Sequence, residues 1–287
     1  MGSVVITGVS TGIGWGATKV LIKKGHRVFG SVRKAADAER LQKEFGDKFV
    51  PLIFDVTDAK AVQEGAAKVR EALKGETLMG LVNNAGIAIF GPLLYLPADE
   101  LRTQMEVNLI GVLNVTQAFA PLLGADKSLK GKPGRIVNIS SVGGKRAFPF
   151  IGPYAASKHA LEGFSESLRR ELMLFGIDVI IVGPGAVKTA IWDKAEQVDT
   201  TRYANTPFGP SIERFSKFFV DSGRSGGLPP EKLGRVIMHA LTTASPKVRY
   251  AVVPNFIQDR LVPALMPKRT LDRVIAGRLG FSGRKTD

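Results

Sequence analysis

Short runs of β-branched and apolar residues alternate along the chain with longer stretches whose apolar positions recur at helical spacing. The short runs predict strands at residues 3–7, 26–32, 49–56, 79–86, 134–141, 177–185 and 249–254. The longer stretches predict helices at residues 15–24, 36–46, 58–75, 99–123 and 153–176. Strands that are apolar almost throughout are typical of a parallel sheet with helices on both faces. We therefore predict an α/β fold, a doubly wound parallel sheet of about seven strands with ligands at the carboxyl ends of the strands.

The alternation breaks at residues 190–232, which are rich in Phe, Gly, Ser and Pro. A break of this kind is typical of a functional insertion, so we expect a small substrate-binding lid there. Residues 255–287 form a C-terminal extension beyond the last predicted strand. Because the sequence contains no internal repeat and no low-complexity linker, we expect a single domain that spans residues 1–287.

The composition narrows the classes of protein. Hydrophobic residues make up 44% of the chain and charged residues 23%, which is untypical of disordered or membrane-embedded proteins. We expect no membrane-spanning segment and no secretory signal, and hence a cytoplasmic protein. The chain has no cysteine, which excludes disulfides and thiolate catalysis, and its three histidines lack metal-ligand spacing, so we expect no metal site.

The formal net charge of +14 indicates an anionic partner without identifying it. Nucleic acid, an anionic membrane surface and a phosphorylated ligand all attract such a charge. The sequence shows no basic run with interleaved aromatic residues of the kind that follows a nucleic-acid strand. We therefore expect no nucleic-acid partner.

A glycine-rich segment, "ITGVSTGIG", follows the first predicted strand and opens a helix. Gly8, Gly12 and Gly14 have the spacing GxxxGxG. Glycines permit a tight turn, and the amino end of the next helix attracts a pyrophosphate. Glycine turns after strands are common, but the position of this one predicts a dinucleotide site.

The end of the second predicted strand indicates which dinucleotide binds. A carboxylate at this position would contact the adenosine ribose hydroxyls, but the strand ends "GSVRK". The guanidinium of Arg33, followed by Lys34, would attract a 2'-phosphate. We therefore predict that NADP(H) is preferred over NAD(H). The alternative is that Arg33 is an ordinary solvated charge.

Tyr154 and Lys158 are four residues apart and therefore share one face of a predicted helix. A tyrosine has an ordinary pKa near ~10, and a nearby ammonium would lower that pKa toward the range useful for acid–base catalysis. Ser141, at the end of the preceding strand, can reach the same point and donate a hydrogen bond to a substrate oxygen. Taken singly, each residue is explained more simply as a packing, surface or turn residue.

Several segments together resemble the short-chain dehydrogenase/reductase family. The matches, in order, are "TGVSTGIG" (7–14), "FDVTD" (54–58), "NNAG" (83–86), Asn108, "NISS" (138–141), "YAASK" (154–158) and "PGAVKT" (184–189). The resemblance implies a Rossmann-like fold and a catalytic tetrad of Asn108, Ser141, Tyr154 and Lys158. In it, Tyr154 would exchange a proton with the substrate oxygen, Lys158 would bind the nicotinamide ribose, and Asn108 would hold a relay water.

The resemblance also implies the residues that contact the cofactor, in addition to Tyr154 and Lys158. The pyrophosphate turn would comprise Gly8, Ser10, Thr11, Gly12, Ile13 and Gly14. The adenosine end would be bound by Arg33, Lys34, Asp55 and Val56. The middle of the cofactor would be braced by Asn83, Ala85 and Gly86. The nicotinamide would be held by Pro184, Gly185, Val187 and Thr189.

Apolar residues around these motifs predict the substrate. A pocket would be lined by Ile89, Phe90, Phe148, Phe150, Trp192, Phe215 and Phe219. Such a pocket favours a hydrophobic alcohol or ketone of steroid, retinoid or aromatic type, although each residue could instead belong to the core. The alternative function, from another class, is a non-catalytic NADP(H)-binding sensor or scaffold on the same fold.

The C-terminal extension resembles the tails of retinol- and hydroxysteroid-dehydrogenase-like members. Leu271, Val274, Ile275 and Leu279 share one face of a predicted helix, with basic residues around it. Three options stay open for this helix: weak contact with a membrane surface, cover over the substrate pocket, or packing on the body. The resemblance also implies a homodimer or homotetramer that associates through the helices at 99–123 and 153–176.

Overall fold

The computed structural model describes residues 2–189, 200–257 and 261–281, without the side chains of residues 220–225 and 264. Its strands are β1 (Ser3–Ile6), β2 (Arg27–Val32), β3 (Phe49–Ile53), β4 (Gly80–Asn83), β5 (Arg135–Ile139), β6 (Asp178–Pro184) and β7 (Arg249–Val252). These seven strands of the described chain form one parallel sheet in the order β3-β2-β1-β4-β5-β6-β7. The predicted doubly wound α/β fold is confirmed. The strand order reverses between β1 and β4, where sheets of this kind bind ligands.

Helices connect the strands and cover the sheet. They are α1 (Gly12–Lys23), α2 (Ala35–Phe45), α3 (Ala59–Leu73), α4 (Ala98–Met105), α5 (Gly111–Phe119), α6 (Gly152–Glu171), α7 (Gly209–Gly226), α8 (Pro230–Thr242), α9 (Val262–Leu265) and α10 (Lys268–Leu279). Successive side chains of a strand point to opposite faces. Val4 and Ile6 of β1 therefore pack in one core with Leu21 of α1, and Val5 packs in the other with Phe119 of α5.

Helices α4 and α5 belong to one helical run, Ala98–Leu123, which a π-helical segment at Glu106–Ile110 joins. This run is long and apolar enough to cross a membrane, so the expectation that the chain has no such segment is wrong as to length and composition. Half of its most apolar part is buried inside the protein, because Val115 and Phe119 pack on the sheet. A core helix meets the same criteria. The π-helical segment carries Asn108, and such segments are frequent at functional sites.

The predicted lid divides into three parts. Residues 190–199 lie outside the described residues. Helix α7 lies wholly within the predicted lid. Helix α8 begins at Pro230, inside the predicted lid, and packs closely on α1, because a Cβ on Gly234 would lie only 2.5 Å from the carbonyl oxygen of Gly16. The last residues of the predicted lid are therefore part of the body.

Candidate active site

The phosphate turn, residues 7–14, follows β1 and contacts the loops after β4 and β6. Gly8 and Gly12 have positive φ angles of 69° and 63°, which a side chain would strain. A Cβ on Gly8 would lie 2.9 Å from the Cα of Ala85, and a Cβ on Gly12 would lie 3.0 Å from Cγ2 of Thr189. The turn thus packs closely on the loops after β4 and β6, and α1, whose amino end attracts a pyrophosphate, begins within it.

Asn84 and Thr7 hold this turn in shape, and the sequence analysis did not assign a role to either. Asn84 donates hydrogen bonds from Nδ2 to the carbonyl oxygens of Thr7 (2.8 Å) and Gly8 (2.9 Å). The Thr7 hydroxyl accepts from the backbone N–H groups of Asn84 and Ala85, both at 3.0 Å. A Cβ on Gly14 would collide with the Gly8 carbonyl oxygen and approach Asn84 Nδ2 to 2.5 Å.

The side chain of Asn83 does not lie at the turn, and its predicted role of bracing the middle of the cofactor stays a prediction. It is buried, and its Nδ2 donates to Asn138 Oδ1 (2.9 Å) and Thr116 Oγ1 (3.2 Å). Asn83 is the last residue of β4, and successive side chains of a strand point to opposite faces. The side chain of Asn83 therefore lies against Asn138 of β5 and Thr116 of α5. The neighbour that follows it, Asn84, braces the turn instead.

The adenosine end lies beyond β2 and β3. Arg33 is 67% exposed, and its Nη1 lies 3.7 Å from Oδ2 of Asp55, so the two predicted residues are adjacent. Partial burial raises the pKa of Asp55, but hydrogen bonds from Thr57 and the charge of Arg33 outweigh burial and hold that pKa below its usual range. An exposed ion pair of this kind contributes little, so Arg33 can turn toward a phosphate. Lys34 is exposed next to it.

Other predicted residues at this end lie in different environments. Val56 is buried in the core rather than exposed at the adenosine end. Thr11 is exposed, and Ile13 packs partly on the core. Ser10 accepts a 2.7 Å hydrogen bond at its carbonyl oxygen from Nη2 of Arg40. Arg40, on α2, is therefore a contact of the phosphate turn that the sequence analysis missed.

The loop after β6 closes the other side of the turn. The Gly185 N–H donates to the Val252 carbonyl oxygen at 2.9 Å, directly after Pro184, which ends β6. Val187 is buried in the core and pairs with Leu228, so its side chain does not face the turn. Thr189 lies against Gly12, as described above. Of the loop predicted to hold the nicotinamide, Thr189 therefore lies at the phosphate turn, whereas the side chain of Val187 does not.

Ser141 and Tyr154 meet beyond the end of β5. Ser141 begins a short 3₁₀ turn, and its Oγ accepts a 3.0 Å hydrogen bond from the Gly143 N–H. Burial raises the pKa of Tyr154, and a hydrogen bond with Ser141 partly offsets that rise. The expected lowering of the Tyr154 pKa is not what the isolated chain shows, because desolvation of the phenolate outweighs the other influences.

Lys158 lies one helical turn from Tyr154, with its Nζ 5.8 Å from the centre of the tyrosine ring. The ammonium group is buried and donates a 2.8 Å hydrogen bond to the carbonyl oxygen of Ile139. Burial lowers the pKa of Lys158 to about 8, although the negative charge of Glu162 opposes this shift. A lysine with such a pKa can exchange a proton near neutral pH.

Asn108 connects these residues to the loop after β4. Its Oδ1 accepts from the Ile87 N–H (2.9 Å), and its Nδ2 donates to the Ile87 carbonyl oxygen and to Ser157 Oγ, both at 3.0 Å. A Cβ on Gly86 would lie 3.1 Å from Asn108 Oδ1 and 3.8 Å from Lys158 Nζ. Asn108 and Lys158 of the predicted tetrad thus meet at Gly86, and Lys158 in turn lies beside Tyr154.

Tyr154 also packs against a group of mostly aromatic side chains. We call this group the aromatic cluster, and its buried members are Phe90, Phe150, Ile151, Tyr203, Ile212, Phe215 and Leu279. Its half-buried members are Ala88, Phe148, Tyr154, Phe208, Phe219, Ile275 and Phe281. Phe215 of α7 is its centre, with ring centroids 5.1 to 6.4 Å from those of four other phenylalanines.

Five of the seven predicted pocket residues belong to the aromatic cluster. Ile89 does not, and its backbone N–H donates to Gln104 Oε1 at 2.8 Å. Trp192 lies outside the described residues. Phe150 has a positive φ of 68°, which is uncommon for a bulky residue. The surrounding packing must hold this conformation.

The C-terminal helix α10 covers the aromatic cluster. Ile275 and Leu279 pack into it, and Phe281 stacks edge-on against Phe150 with ring centroids 5.8 Å apart. Val274, on the same predicted face, is 41% exposed. The structure thus shows this helix packed on the aromatic cluster. That it covers a substrate pocket there stays a prediction.

A family model described as short chain dehydrogenase matches residues 3–199, which is more than half of the chain. The chain belongs to the short-chain dehydrogenase family. Its sequence is 39% identical over 270 residues to an "NADPH-dependent 3-dehydrocapnine reductase" of Ornithobacterium rhinotracheale, and the match covers 94% of each protein. It is 33% identical to "Retinol dehydrogenase 16" of Homo sapiens, over 92% of this chain and 88% of that protein.

Solved structures agree with this family. A crystal structure of a short-chain dehydrogenase from Streptomyces avermitilis is 28% identical and covers 100% of this chain and 98% of its own, with a TM-score of 0.74. The resemblance to an oxidoreductase family is therefore confirmed for sequence and fold together. In this short-chain dehydrogenase, the phosphate turn fits a dinucleotide, because Gly8 and Gly12 fold it tightly and α1 begins within it. Backbone N–H groups at the amino end of that helix can therefore bind a pyrophosphate.

Sequence reasoning missed residues of two kinds in this short-chain dehydrogenase. Asn84 and Arg40 act on the phosphate turn through hydrogen bonds to backbone carbonyl groups. Tyr203, Phe208 and Phe281 belong to the aromatic cluster but come from segments far from the motifs. Asn84 is part of "NNAG" and could have been found there. The other residues have no local pattern that marks them.

Proposed function

We propose that this short-chain dehydrogenase transfers a hydride between NADP(H) and a hydrophobic ketone, aldehyde or alcohol, with Tyr154 as the general acid and base. The observation that carries this proposal is the position of Tyr154. It bonds to Ser141, lies one turn from Lys158, and packs against the aromatic cluster. A hydrophobic carbonyl held by the cluster would therefore have its oxygen beside two hydroxyl groups.

Each residue has a role that follows from its position. Ser141 donates a hydrogen bond to the substrate oxygen, where negative charge develops during reduction. Tyr154 gives that oxygen its proton, and Lys158, with its lowered pKa, restores the proton to Tyr154. Asn108 fixes the loop that carries Gly86, and thus the surface opposite Lys158. The bound nicotinamide supplies or accepts the hydride.

Two observations support NADP(H) as the cofactor. Arg33 is exposed just after β2, and within the described residues it pairs with one carboxylate, that of Asp55 after β3. The relative from Ornithobacterium rhinotracheale is named as NADPH-dependent. A guanidinium that is weakly paired and exposed is well suited to a 2'-phosphate.

The aromatic cluster and the relatives support a hydrophobic substrate. Phenylalanine side chains from four separate segments pack in the same cluster as Tyr154. One relative is named a 3-dehydrocapnine reductase and another a retinol dehydrogenase. We propose a substrate of the bulky hydrophobic class that these names and the cluster share.

We also propose that the enzyme forms a homodimer or homotetramer. Leu101 and Ile110 on the run Ala98–Leu123 are exposed, as are Met173 and Leu174 after α6. Exposed apolar residues on two adjacent helices favour association between copies. Sedimentation of the purified protein tests this: a monomer across the micromolar range would overturn it.

The test is a panel of carbonyl compounds given to the purified protein with NADPH or NADH. It includes acetone, an aromatic ketone, a steroidal ketone, retinaldehyde and 3-dehydrocapnine, and absorbance follows the reduced nicotinamide. We expect NADPH to be oxidised faster than NADH, and the hydrophobic carbonyls to react faster than acetone. Tyr154→Phe should lower the rate by about a hundredfold or more while NADPH still binds.

The opposite outcome has a defined meaning. If NADPH binds but neither the carbonyls nor the matching alcohols with NADP+ react, the chain is a cofactor-binding sensor or scaffold. If Tyr154→Phe keeps the wild-type rate, the tyrosine is not the proton donor. Tyr250→Phe, which changes a tyrosine on β7 outside the cluster, is the matched control and should retain the wild-type rate.

A further inference from the structure

A buried ion pair lies directly beneath the proposed catalytic residues. Glu162 follows Lys158 by one turn of α6, and its side chain is only 4% exposed. Arg249 of β7 donates to both of its carboxylate oxygens, with Nε at 2.9 and 3.1 Å and Nη2 at 3.0 Å. Lys145 adds a further contact at 3.2 Å. None of these three residues has a role in the proposed reaction.

Arg249 reaches past the carboxylate to the proposed active site. Its Nη2 also donates to the carbonyl oxygen of Ser141 at 3.3 Å. A Cβ on Gly183 would collide with the same guanidinium group, so β6 leaves the space that Arg249 occupies. Gly144 is equally close-packed, because a Cβ there would lie 3.0 Å from the carbonyl oxygen of Lys158 and 3.1 Å from Cγ of Glu162.

We propose that Glu162 and Arg249 are positioning residues. Glu162 sets the charge around Lys158, and Arg249 orients Ser141. This inference rests on the proposed function, since it concerns the residues that would carry out the reaction. A buried ion pair is weak support for stability, because well-packed apolar residues often replace one without loss. This ion pair instead lies where it can act on the proposed reaction, because Glu162 is one turn from the buried ammonium of Lys158 and Arg249 contacts the backbone of Ser141.

The charges around Lys158 explain what Glu162 does. Glu162, on the same helix, is the charge that acts on Lys158, and Glu162 is itself paired with Lys145 after β5 and Arg249 on β7. Tyr154 is the titratable neighbour of Lys158. One negative and two positive side chains leave a net charge of one positive. Glu162→Gln would raise that sum to two positive charges, and the buried Lys158 would lose its proton more readily.

The first measurement is the titration of Lys158 itself, by NMR of the carbon beside its ammonium group in the protein without cofactor. Its signal is assigned by its loss in Lys158→Met, and in the wild type it should titrate at a pKa of about 8. In Glu162→Gln we expect that pKa to fall by about half a unit or more. The double variant Glu162→Gln/Arg249→Gln restores one net positive charge, so its pKa should return toward the wild-type value.

The second measurement is the pH dependence of carbonyl reduction. Reduction needs a proton from Tyr154, which Lys158 restores. The rate of reduction therefore falls as pH rises through the pKa of this pair. Glu162→Gln should therefore lose activity at a lower pH than the wild type. Arg249→Lys keeps the charge but shortens the side chain, so it should leave this pH unchanged while lowering kcat by about tenfold with little change in KM.

Glu166→Gln is the matched control, since Glu166 is exposed one turn further along α6, and it should behave as the wild type in both measurements. Equal Lys158 titrations in the wild type and Glu162→Gln would overturn the inference, even if Tyr154→Phe confirms the proposed function. An Arg249→Lys enzyme with wild-type kcat would overturn the role of Arg249. If the wild type reduces no carbonyl, the proposed function fails, but the NMR titration still decides whether Glu162 controls Lys158.

Discussion

The phosphate turn is shaped by backbone atoms, whereas the aromatic cluster is shaped by side chains. At the turn, Gly8, Gly12 and Gly14 have no side chains, and hydrogen bonds between main-chain groups and Asn84 set the geometry. In the cluster, the rings of four other phenylalanines pack around Phe215, namely Phe90, Phe148, Phe150 and Phe219. Tyr154 belongs to the cluster and is hydrogen-bonded to Ser141.

This difference determines how each region tolerates change. A backbone turn has few solutions, since a single methyl group in the wrong place meets a carbonyl oxygen that cannot move. A cluster of side chains can be repacked as long as volume and hydrophobicity are kept. The phosphate turn therefore tolerates fewer substitutions than the aromatic cluster.

The largest effect is expected in the aromatic cluster. Phe215→Ala removes the central buried ring, which is only 4% exposed, and should lower the free energy of unfolding by about 3 to 5 kcal/mol. Chemical denaturation measures this change. Phe218→Ala, on the same helix but 44% exposed, is the matched control and should cost less than about 1 kcal/mol. Similar losses in both variants would show that the cluster is not a packed core around Phe215.

A smaller effect is expected at the phosphate turn. Gly14→Ala places a methyl group against the Gly8 carbonyl oxygen, a strain that corresponds to about a ten- to hundredfold rise in the Kd for NADPH. Fluorescence titration measures that Kd. Gly163→Ala adds the same methyl group on α6 where no atom lies within 4 Å, and it should leave the Kd unchanged. Unaltered NADPH binding by Gly14→Ala would place the cofactor elsewhere.

The smallest effect is expected for a substitution of Arg33, which should change the affinity for NADPH but not for NADH. Arg33→Ser removes the exposed guanidinium, so the Kd for NADPH should rise roughly tenfold, because one charge-assisted hydrogen bond is lost. The Kd for NADH, which has no 2'-phosphate, serves as the internal control and should stay within twofold. An equal loss for both cofactors would mean that Arg33 supports the fold and not the phosphate.

The two regions also differ in how far the sequence predicts them. The phosphate turn, Tyr154 and Lys158 were predicted because glycine spacing and helical spacing are local patterns. The side-chain direction of Asn83 was not, since it depends on the register of β4 against β5. Phe208 and Phe281 were missed because their contacts with Phe150 join residues more than fifty positions apart.

Electrostatic properties required the structure for the same reason. The sequence led to the expectation that Lys158 lowers the pKa of Tyr154, but the burial of Tyr154 raises that pKa in the isolated chain. Burial also lowers the pKa of Lys158, and Glu162 moderates the shift through a network that includes Arg249, 87 residues away. Neither burial nor such a network can be seen in a motif.

The central claim is that hydride passes between a cofactor at the phosphate turn and a carbonyl held beside Tyr154. The direct measurement uses NADPH that carries deuterium at nicotinamide C4, in each of its two stereochemical forms, with the fastest carbonyl of the panel. Mass spectrometry then examines the alcohol product. We expect one of the two forms to deliver a single deuterium to the carbinol carbon, and Tyr154→Phe to slow this transfer without changing which form is used. An alcohol that carries no deuterium from either form, or no alcohol at all, would contradict the account.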